Sequence, residues 1–268
     1  MTTFQRSTIR PAGPARRAAR RRFMAAAAFA AIGVVSLADG DAPRADEPEP
    51  RVVAPGAADQ GQPPIPPPSD ATVLFDGTSL DTFRSADGGA ARWTIEGKHG
   101  GAMTITPGAG GIFSTHQFGD AQVHIEFATP AEVLGEGQSR GNSGVYLQGR
   151  YEVQVLDSFK NSTYPNGQCG AIYAQHAPLV NACRGPGLWQ SYDIIFRAPR
   201  FDAAGTRIQP AQITVLHNGV LIHDHADVQG ETTAAPIKEG PGDGPLYLQD
   251  HGCQVRYRNI WIRPLADQ

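Results

Sequence analysis

The sequence predicts an all-β protein, built as a jelly-roll sandwich of two antiparallel sheets. Glycine (31) and proline (22) are abundant among the 268 residues, and turn-forming residues recur about every ten positions. Between these turns, β-branched and aromatic residues alternate with polar ones, which is the two-residue period of a half-buried strand. The sequence shows no long amphipathic helix pattern. About a dozen short strands without a major helix fit two packed antiparallel sheets.

Each predicted strand is a short run of alternating or β-branched residues between turn residues. In 121–128, the alternation places His124 and Glu126 on the solvent side. The Asn-Gly pair at 218–219 is the strongest hairpin signal, and H-D-H at 223–225 is interpreted as a water-exposed hairpin end rather than a metal site. Outside the central hairpin, the predicted strands are 73–75, 93–95, 102–106, 111–115, 121–128, 170–175, 189–197, 211–216, 220–224, 245–251 and 255–263.

The central hairpin, residues 142–158, is the stretch most suggestive of a functional site. Its second strand, Y-E-V-Q-V, places three apolar residues on one face and Glu152 and Gln154 on the other. Asp157 has the wrong parity for the polar face, and a β-bulge near Leu156 would bring it there. This face is predicted to form the floor of a sugar-binding groove. The alternative is an ordinary solvated strand face.

The charge of the chain is unevenly distributed. The formal net charge is −3, but residues 1–38 contain seven arginines and no acidic residue. The remainder therefore carries 16 basic and 26 acidic side chains, a net charge of −10. Nucleic-acid binding depends on neutralising phosphates, so this surface argues against a nucleic-acid partner and suits a small carbohydrate.

The first 38 residues have the features of a secretion signal. Three arginines at 20–22 precede an apolar run at 25–37, which ends in the small-x-small sequence S-L-A. The run is shorter than the roughly 20 residues of a membrane span, and R-R-x-F-M resembles the twin-arginine signal. We expect an exported protein, periplasmic or extracellular, that begins near Asp39 and keeps no stable membrane span. The alternative is a basic disordered tail or an uncleaved anchor.

Residues 39–70 are predicted to be a Pro-rich disordered linker. The sequence P-P-I-P-P-P at 63–68 can form neither a helix nor a sheet ladder and is typical of a stiff polyproline II spacer. The jelly-roll domain, with the catalytic or sugar-binding site, is therefore expected to span residues 71–268.

The three cysteines are compatible with an exported protein. Cys169 and Cys183 enclose a 15-residue loop, and a disulfide there would stabilise the fold by about 3 kcal/mol in the chain-entropy model. Cys253 is then expected to be a buried free thiol. The sequence contains no Cys-x-x-Cys pattern that would indicate zinc.

Six segments of the folded part form a recognisable set. They are L-F-D-G-T-S-L at 74–80, F-G-D-A-Q-V-H-I-E-F at 118–127, G-N-S-G-V-Y-L-Q-G-R-Y-E-V-Q-V-L-D-S at 141–158, W-Q-S-Y-D-I-I-F-R-A-P-R-F-D at 189–202, L-Q-D-H-G at 248–252 and V-R-Y-R-N-I-W-I-R-P-L at 255–265. Together they resemble the bacterial 3-keto-disaccharide hydrolase domain family. The resemblance implies a concanavalin A-like jelly roll and an enzyme that acts on glycosides oxidised to a ketone at C3.

Such an enzyme could cleave its substrate by elimination followed by hydration, or by direct displacement. Elimination needs a base, an acid and a group that holds the enolate oxygen. Glu152 and Asp157 are the candidates for base and acid, and His251 is the alternative for either role. Arg150 is the cation in the hairpin that could balance an enolate. The predicted substrate-binding residues are Asn142, Tyr146, Gln148, Arg150, Gln154, Tyr173 and Gln249.

The alternative function is a non-catalytic sugar-binding module, because the same sandwich serves lectins. Tyr146, Tyr173 and Trp189 would then stack on sugar rings, and the carboxylates would only bind hydroxyl groups. Two carboxyl groups that converge on one point would favour the enzyme. No cofactor is predicted. The many acids are compatible with a divalent cation, but no contiguous oxygen-rich loop identifies ligands for one.

Overall fold

A computed structural model describes Met1 and residues 48–56, 66–97 and 101–266. The predicted signal, apart from Met1, and most of the predicted linker lie outside these residues. None of the helices in the described part of the chain has the length and apolar composition of a membrane span.

The described residues contain seventeen strands, numbered here in chain order, and two short 3-10 helices at Gly137–Ser139 and Pro165–Gly167. The strands are β1 (Arg51–Val52), β2 (Thr72–Phe75), β3 (Phe83–Ser85), β4 (Thr94–Glu96), β5 (Ala102–Thr104), β6 (Ile112–Phe118), β7 (Ala121–Ala128), β8 (Ser143–Leu147), β9 (Tyr151–Val155), β10 (Val180–Asn181), β11 (Gln190–Arg197), β12 (Arg200–Phe201), β13 (Arg207–Gln209), β14 (Ala211–His217), β15 (Val220–Val228), β16 (Gly244–Leu248) and β17 (Arg256–Pro264).

Two antiparallel sheets form the sandwich, which confirms the predicted all-β jelly roll. The eight-stranded sheet has the order β15-β14-β11-β7-β17-β5-β4, with β2 paired to β17. The five-stranded sheet has the order β3-β6-β16-β8-β9. The candidate site lies on the outer face of the five-stranded sheet.

The core lies between the two sheets and is built from alternate residues of their strands. Phe196 of β11 contacts Phe118 and Tyr151 of the opposite sheet, with ring centroids 6.1 and 5.7 Å apart. Two tyrosines of the eight-stranded sheet also donate hydrogen bonds across the core: Tyr192 to the Gln154 carbonyl at 2.6 Å and Tyr257 to Ser143 Oγ at 2.7 Å. These contacts fix the back of the hairpin that carries the candidate site.

Most predicted strands are present, but residues 170–175 do not form one. Gly170 and Ala171 instead exchange backbone hydrogen bonds with Gln154, and the Tyr173 amide donates to the Glu152 carbonyl at 3.1 Å. Ala174 has a φ of 59°, which interrupts the extended conformation. The segment therefore covers the outer edge of β9 as a turn.

The sequence predicted a solvated outer face for β7, but this face is buried. His124 and Glu126 are both buried. His124 Nδ1 lies 2.7 Å from Asp193 Oδ1 and its ring stacks on Trp261, while Glu126 accepts a hydrogen bond from Arg258 Nε at 2.6 Å. Alternation alone could not reveal this, because the covering partners come from strands distant in sequence.

The H-D-H sequence at 223–225 also differs from the prediction. His223 is buried, and its Nε2 lies 2.7 Å from the Gly170 carbonyl oxygen. His225 is exposed and has a φ of 48°, and the pairing of β14 with β15 shifts register nearby. With this irregular backbone, the rings of His223 and His225 lie in different surroundings, one buried and one exposed.

Part of the predicted linker is ordered against the domain. Arg51 and Val52 form β1, which pairs in parallel with β10. Arg184 Nη2 also donates to the Gly56 carbonyl at 3.1 Å. This short segment is therefore paired with β10 in the structure, and the disorder of the rest of the linker stays a prediction.

Candidate active site

The central hairpin is formed by β8 and β9, as predicted. Its turn is longer than the expected Gly149-Arg150 pair and includes Gln148, which has a φ of 54°. In the pairing, Tyr146 lies opposite Glu152 and Gly144 opposite Gln154. These four residues therefore share the outer face of the sheet. Glu152 and Gln154 are only 3% and 1% exposed, so the face is a covered site rather than a solvated surface.

The same face continues across β16 and β6. Tyr247 lies opposite Tyr146, and Phe113 lies opposite Tyr247. Gln249 follows two residues after Tyr247, and its amide donates to the Gly144 carbonyl at 3.0 Å. We call this surface the floor. It consists of Phe113, Gly144, Tyr146, Glu152, Gln154, Tyr247 and Gln249.

A chain of hydrogen bonds fixes the carboxylate of Glu152. Tyr146 Oη donates to Glu152 Oε2 at 2.8 Å, and Gln249 Nε2 donates to Tyr146 Oη at 3.1 Å. Burial and the charge of Glu152 raise the pKa of Tyr146 far above its usual range, so the phenol keeps its proton. Tyr146 is therefore a permanent donor to Glu152.

Gly144 makes room for this carboxylate. A Cβ atom at position 144 would lie 2.3 Å from Glu152 Oε1 and 2.7 Å from a ring carbon of Tyr146. Any larger residue would displace one of these two side chains. The glycine is thus required by the close approach of Glu152 to β8.

Tyrosines and amides enclose the floor beside β9. Tyr164 Oη and Tyr173 Oη are 2.5 Å apart. Gln154 Nε2 donates to Gln138 Oε1 at 3.0 Å, and Gln138 donates in turn to the Gly167 carbonyl at 2.8 Å. We call the pair Tyr164 and Tyr173 the end wall. It lies beyond Glu152, at the β9 side of the floor.

Asp157 is held by Arg140 and by the backbone of Phe159. Its Oδ2 accepts a hydrogen bond from Arg140 Nε at 2.7 Å, and its Oδ1 accepts one from the Phe159 amide at 3.2 Å. The pairing of β8 with β9 shows no register shift up to Val155, and Leu156, where a bulge was predicted, lies just beyond the paired residues. Asp157 lines a separate pocket of about 550 Å³, with Arg140 and Cys253. The structure thus separates the two carboxylates.

His251 lies in an exposed turn after β16. The preceding Asp250 holds this turn, because its carboxylate accepts hydrogen bonds from the Gly110 and Gly252 amides at 3.0 and 2.9 Å. The role of His251 as an acid or base at the floor stays a prediction.

Gln148 and Arg150 stabilise the hairpin turn. Gln148 Nε2 donates to the Phe118 carbonyl at 2.7 Å. Arg150 is 6% exposed and donates from Nη1 to Gln148 Oε1 at 2.8 Å and to the Gly242 carbonyl at 3.1 Å. Both acceptors are neutral. A buried guanidinium without a carboxylate partner among the described residues can attract an anion.

Asn142 supports the loop rather than the floor, because its Nδ2 donates to the Gln138 carbonyl at 2.6 Å. Five residues at the site were not predicted from the sequence: Phe113, Gly144, Gln138, Tyr164 and Tyr247. Tyr247 could have been found, since P-L-Y-L-Q alternates and places it on the side of Gln249. Nothing in the local sequence indicates the others.

The described residues contain no group of three or more His, Cys, Asp or Glu side chains that could hold a metal ion.

The predicted pair of Cys169 and Cys183 consists of two free buried thiols in the structure, and the two side chains are hydrogen-bonded to one another. The disulfide therefore stays a prediction. Cys253 is half-buried, whereas a buried thiol was expected.

The fold and the site define a two-sheet jelly roll with a buried carboxylate, amides and tyrosines on one sheet face. The sequence profile of the 3-keto-alpha-glucoside-1,2-lyase-like domain matches residues 70–263. The chain belongs to this family, as its motifs indicated, and the family is one of glycoside-acting enzymes.

Solved structures agree with this assignment. A candidate glycosyl hydrolase from Parabacteroides distasonis is 46% identical, with a TM-score of 0.71, and the match covers 82% of this chain and 93% of that chain. A second candidate glycosyl hydrolase from the same organism is 19% identical, with a TM-score of 0.54, and covers 74% of this chain and 94% of that one. This second likeness concerns the fold alone. No curated protein sequence matches the chain.

Proposed function

We propose that this protein cleaves 3-keto-glycosides by elimination at C2 and C1, followed by addition of water. The observation that carries the proposal is the arrangement of Glu152. It is a buried carboxylate that accepts a hydrogen bond from a permanently protonated tyrosine. The family match supports the substrate class.

In this mechanism Glu152 is the base. A ketone at C3 acidifies the C2 hydrogen, since the electrons left behind form an enolate. Glu152 takes the C2 proton, and the enolate electrons re-form the ketone as the C1–oxygen bond breaks. The products are an unsaturated 3-keto sugar and an alcohol. Water then adds across the new C1–C2 double bond, which gives net hydrolysis.

One carboxylate is sufficient for this route. Direct displacement needs a pair of carboxyl groups on either side of the glycosidic bond. Here the second carboxylate, Asp157, is held by Arg140 in another pocket. The leaving oxygen takes its proton from solvent, which reaches the half-buried Tyr247 and Phe113 side of the floor.

The amides and Arg150 have supporting roles. Gln154 Oε1 is buried and lacks a hydrogen-bond donor among the described residues, so it can accept one from a sugar hydroxyl. Gln249 is half-buried and can donate its second amide hydrogen to the substrate. The guanidinium of Arg150, with only neutral acceptors in the described structure, provides the positive field that favours an enolate.

Solvent isotope incorporation tests the mechanism. The purified protein is incubated in D2O with a 3-keto-glucoside and with its unoxidised parent. Elimination and hydration predict deuterium at C2 of the released sugar, above the level of an enzyme-free control, and no cleavage of the parent. Cleavage without deuterium at C2 would contradict elimination and favour direct displacement.

A non-catalytic sugar-binding module is the second candidate, because Asp157, the predicted partner of Glu152, is held by Arg140 in another pocket. It predicts binding of the sugar without turnover of any 3-keto-glycoside. The same incubation separates the two functions.

We also propose that the protein is exported and cleaved after Ala38. The supporting observations are the arginine cluster, the short apolar run and the S-L-A sequence. N-terminal sequencing of native protein should give a start near Asp39. An intact Met1 in the cytoplasmic fraction would contradict export.

A further inference from the structure

A second pocket has its base on the eight-stranded sheet, not on the sheet that carries the floor. At this base β17 pairs with β5, and Arg256 lies opposite Thr104. The next residues along the two strands, Tyr257 and Met103, are buried in the core, so Arg256 and Thr104 face outward. Arg140 also lines the cavity, which has a volume of about 550 Å³, a size typical of small-molecule sites. We call it the Arg256 pocket.

The guanidinium group of Arg256 is held in place without an acidic partner. Its central carbon lies 5.1 Å from the centroid of the Trp189 ring, and its Nη2 donates to the Gly187 carbonyl at 3.2 Å. Both contacts orient the group, and neither neutralises its charge. No ion pair joins Arg256 to a carboxylate among the described residues. Because Arg256 is half-buried, water screens its charge only in part, and the pocket attracts an anion.

Arg140 and Thr104 add further donors to the same pocket. Arg140 Nε donates to Asp157 Oδ2 at 2.7 Å, and its Nη2 donates to the Phe159 carbonyl at 3.0 Å. Its Nη1 makes no hydrogen bond within the part of the chain that the structure describes. Thr104 is 6% exposed, and its Oγ1 also has no partner among the described residues. Such a buried hydroxyl costs stability unless a ligand or water satisfies it.

The rest of the pocket suits an organic ligand with hydroxyl groups. Val133 and Leu134 line it with exposed apolar side chains, which can contact carbon atoms. Glu96 and Glu132 also line it and are exposed, so their carboxylates can accept hydrogen bonds from hydroxyl groups. Water screens their repulsion of an anion that is bound at Arg256. A ligand with one carboxylate and several hydroxyl groups would therefore satisfy both the donors and the acceptors.

We propose that the Arg256 pocket binds a sugar acid, a monosaccharide that carries a carboxylate, such as a uronic acid. The carboxylate binds the guanidinium group of Arg256, whose planar N–H donors match its two oxygens, and Arg140 and Thr104 supply further donors. The hydroxyl groups of the sugar contact Glu96 and Glu132. This site is distinct from the floor, since its base belongs to the other sheet, and it does not depend on the proposed function.

The experiment is calorimetric titration of the purified protein with D-glucuronate and D-galacturonate. Glucose and galactose, in which a CH2OH group replaces the carboxylate, are the neutral controls. Wild type should bind at least one uronate about tenfold more tightly than its neutral sugar, the scale of one hydrogen bond to a charged group. Arg256→Gln should weaken binding of that uronate by about tenfold and remove the preference.

Two further variants make the test specific to Arg256. Arg256→Lys keeps the charge and loses the planar donor pair, so it should weaken binding of the uronate at least about threefold. It replaces the glutamine variant if the latter does not fold. Arg263→Gln is the matched control, because Arg263 lies on the same strand and pairs with Asp70 instead. Its affinity for the uronate should stay within about twofold of wild type.

No binding of either uronate, equal binding of uronate and neutral sugar, or an unchanged affinity in the Arg256 variants would overturn the proposal. The floor is the other place where an anion could bind, since Arg150 has only neutral acceptors in the described structure. Glu152→Gln removes a negative charge from the floor and should leave the affinity for the uronate within about twofold. A larger change would place the uronate at the floor and contradict a site at Arg256.

Discussion

At the scale of single residues, the proposed chemistry depends on Glu152. Its carboxylate is buried, fixed by Tyr146 and placed on a floor of amides and aromatic rings. Asp157 has the same functional group but a different environment, because Arg140 and the Phe159 amide occupy its oxygens. The partners of each carboxylate, more than its residue type, determine which of them is available to a substrate.

Glu152→Gln should abolish proton removal and preserve the fold, because the amide has nearly the same shape as the carboxylate. We expect turnover of a 3-keto-glycoside to fall at least about a hundredfold, the scale of general base catalysis. Steady-state kinetics with a circular dichroism spectrum of each variant would measure this. Glu96→Gln, at an exposed position on β4, is the control. Turnover near the wild-type rate would show that another group is the base.

His124 gives a prediction on pH and stability. Although burial opposes its charge, the hydrogen bond to Asp193 and the nearby Glu126 raise the pKa of His124 to about 9. The unfolded pKa is about 6.5. The ion pairs therefore stabilise the fold fully below pH 6.5, and this contribution is lost as the pH rises from about 6.5 to about 9.

Urea unfolding of wild type at pH values from 6 to 9.5 should show a decrease in the free energy of unfolding, on the order of 2 kcal/mol. The free energy of unfolding of His124→Gln should decrease much less over this pH range. That of His116→Gln should change with pH as it does in wild type. Parallel curves for wild type and His124→Gln would contradict the assignment.

At the scale of elements, the hairpin of β8 and β9 brings the floor together. Its alternation places Tyr146, Glu152 and Gln154 on one face. Residues 170–173 form backbone hydrogen bonds with the outer edge of β9. They thereby help to shield the polar face of the hairpin from solvent. A lone hairpin would leave both carboxylate oxygens of Glu152 in water.

Gly144→Ala tests whether the hairpin positions Glu152. The added Cβ atom would lie 2.3 Å from Oε1, so the carboxylate must move. We expect turnover to fall by about a hundredfold, because a displacement near 1 Å can have this effect, with sugar binding less affected. Gly240→Ala is the control, since no atom lies within 4 Å of its added Cβ. Full activity of Gly144→Ala would mean that Glu152 needs no fixed position.

At the scale of the whole molecule, the sandwich joins distant segments around one core. Tyr192 and Tyr257 of the eight-stranded sheet hydrogen-bond to the back of the hairpin. Cys169 and Cys183, on loops at the side of the core, are buried next to each other. The hydrogen bond with Cys169 and burial raise the pKa of Cys183. Although burial opposes it, the hydrogen bonds with Cys183 and Tyr192 lower the pKa of Cys169.

We expect the exported protein to contain a Cys169–Cys183 disulfide formed during folding. Non-reducing peptide mapping of native protein should find the cross-linked peptide. A Cys183→Ala variant should be less stable by about 3 kcal/mol, the loop-closure contribution of a 15-residue loop. Two free thiols, or a bond from Cys253 to either cysteine, would refute the pairing.

The sequence alone determined the properties that depend on local order along the chain. Turn spacing and two-residue alternation predicted an all-β sandwich, and the motif set predicted the family. The same alternation predicted that Glu152 and Gln154 share a face, because strand geometry fixes this parity. Residues 121–128 were predicted with the bounds that β7 has.

Only the tertiary structure decided which polar groups meet. His124 and Glu126 follow the parity of a solvated face, yet Trp261 and Arg258 from β17 cover them. Asp157 is bound by Arg140 rather than turned towards Glu152, and Phe113 joins Tyr247 from β6 across more than a hundred residues of sequence. The physical reason is that local sequence sets the direction of a side chain, whereas its burial and partners depend on strand order and loop placement.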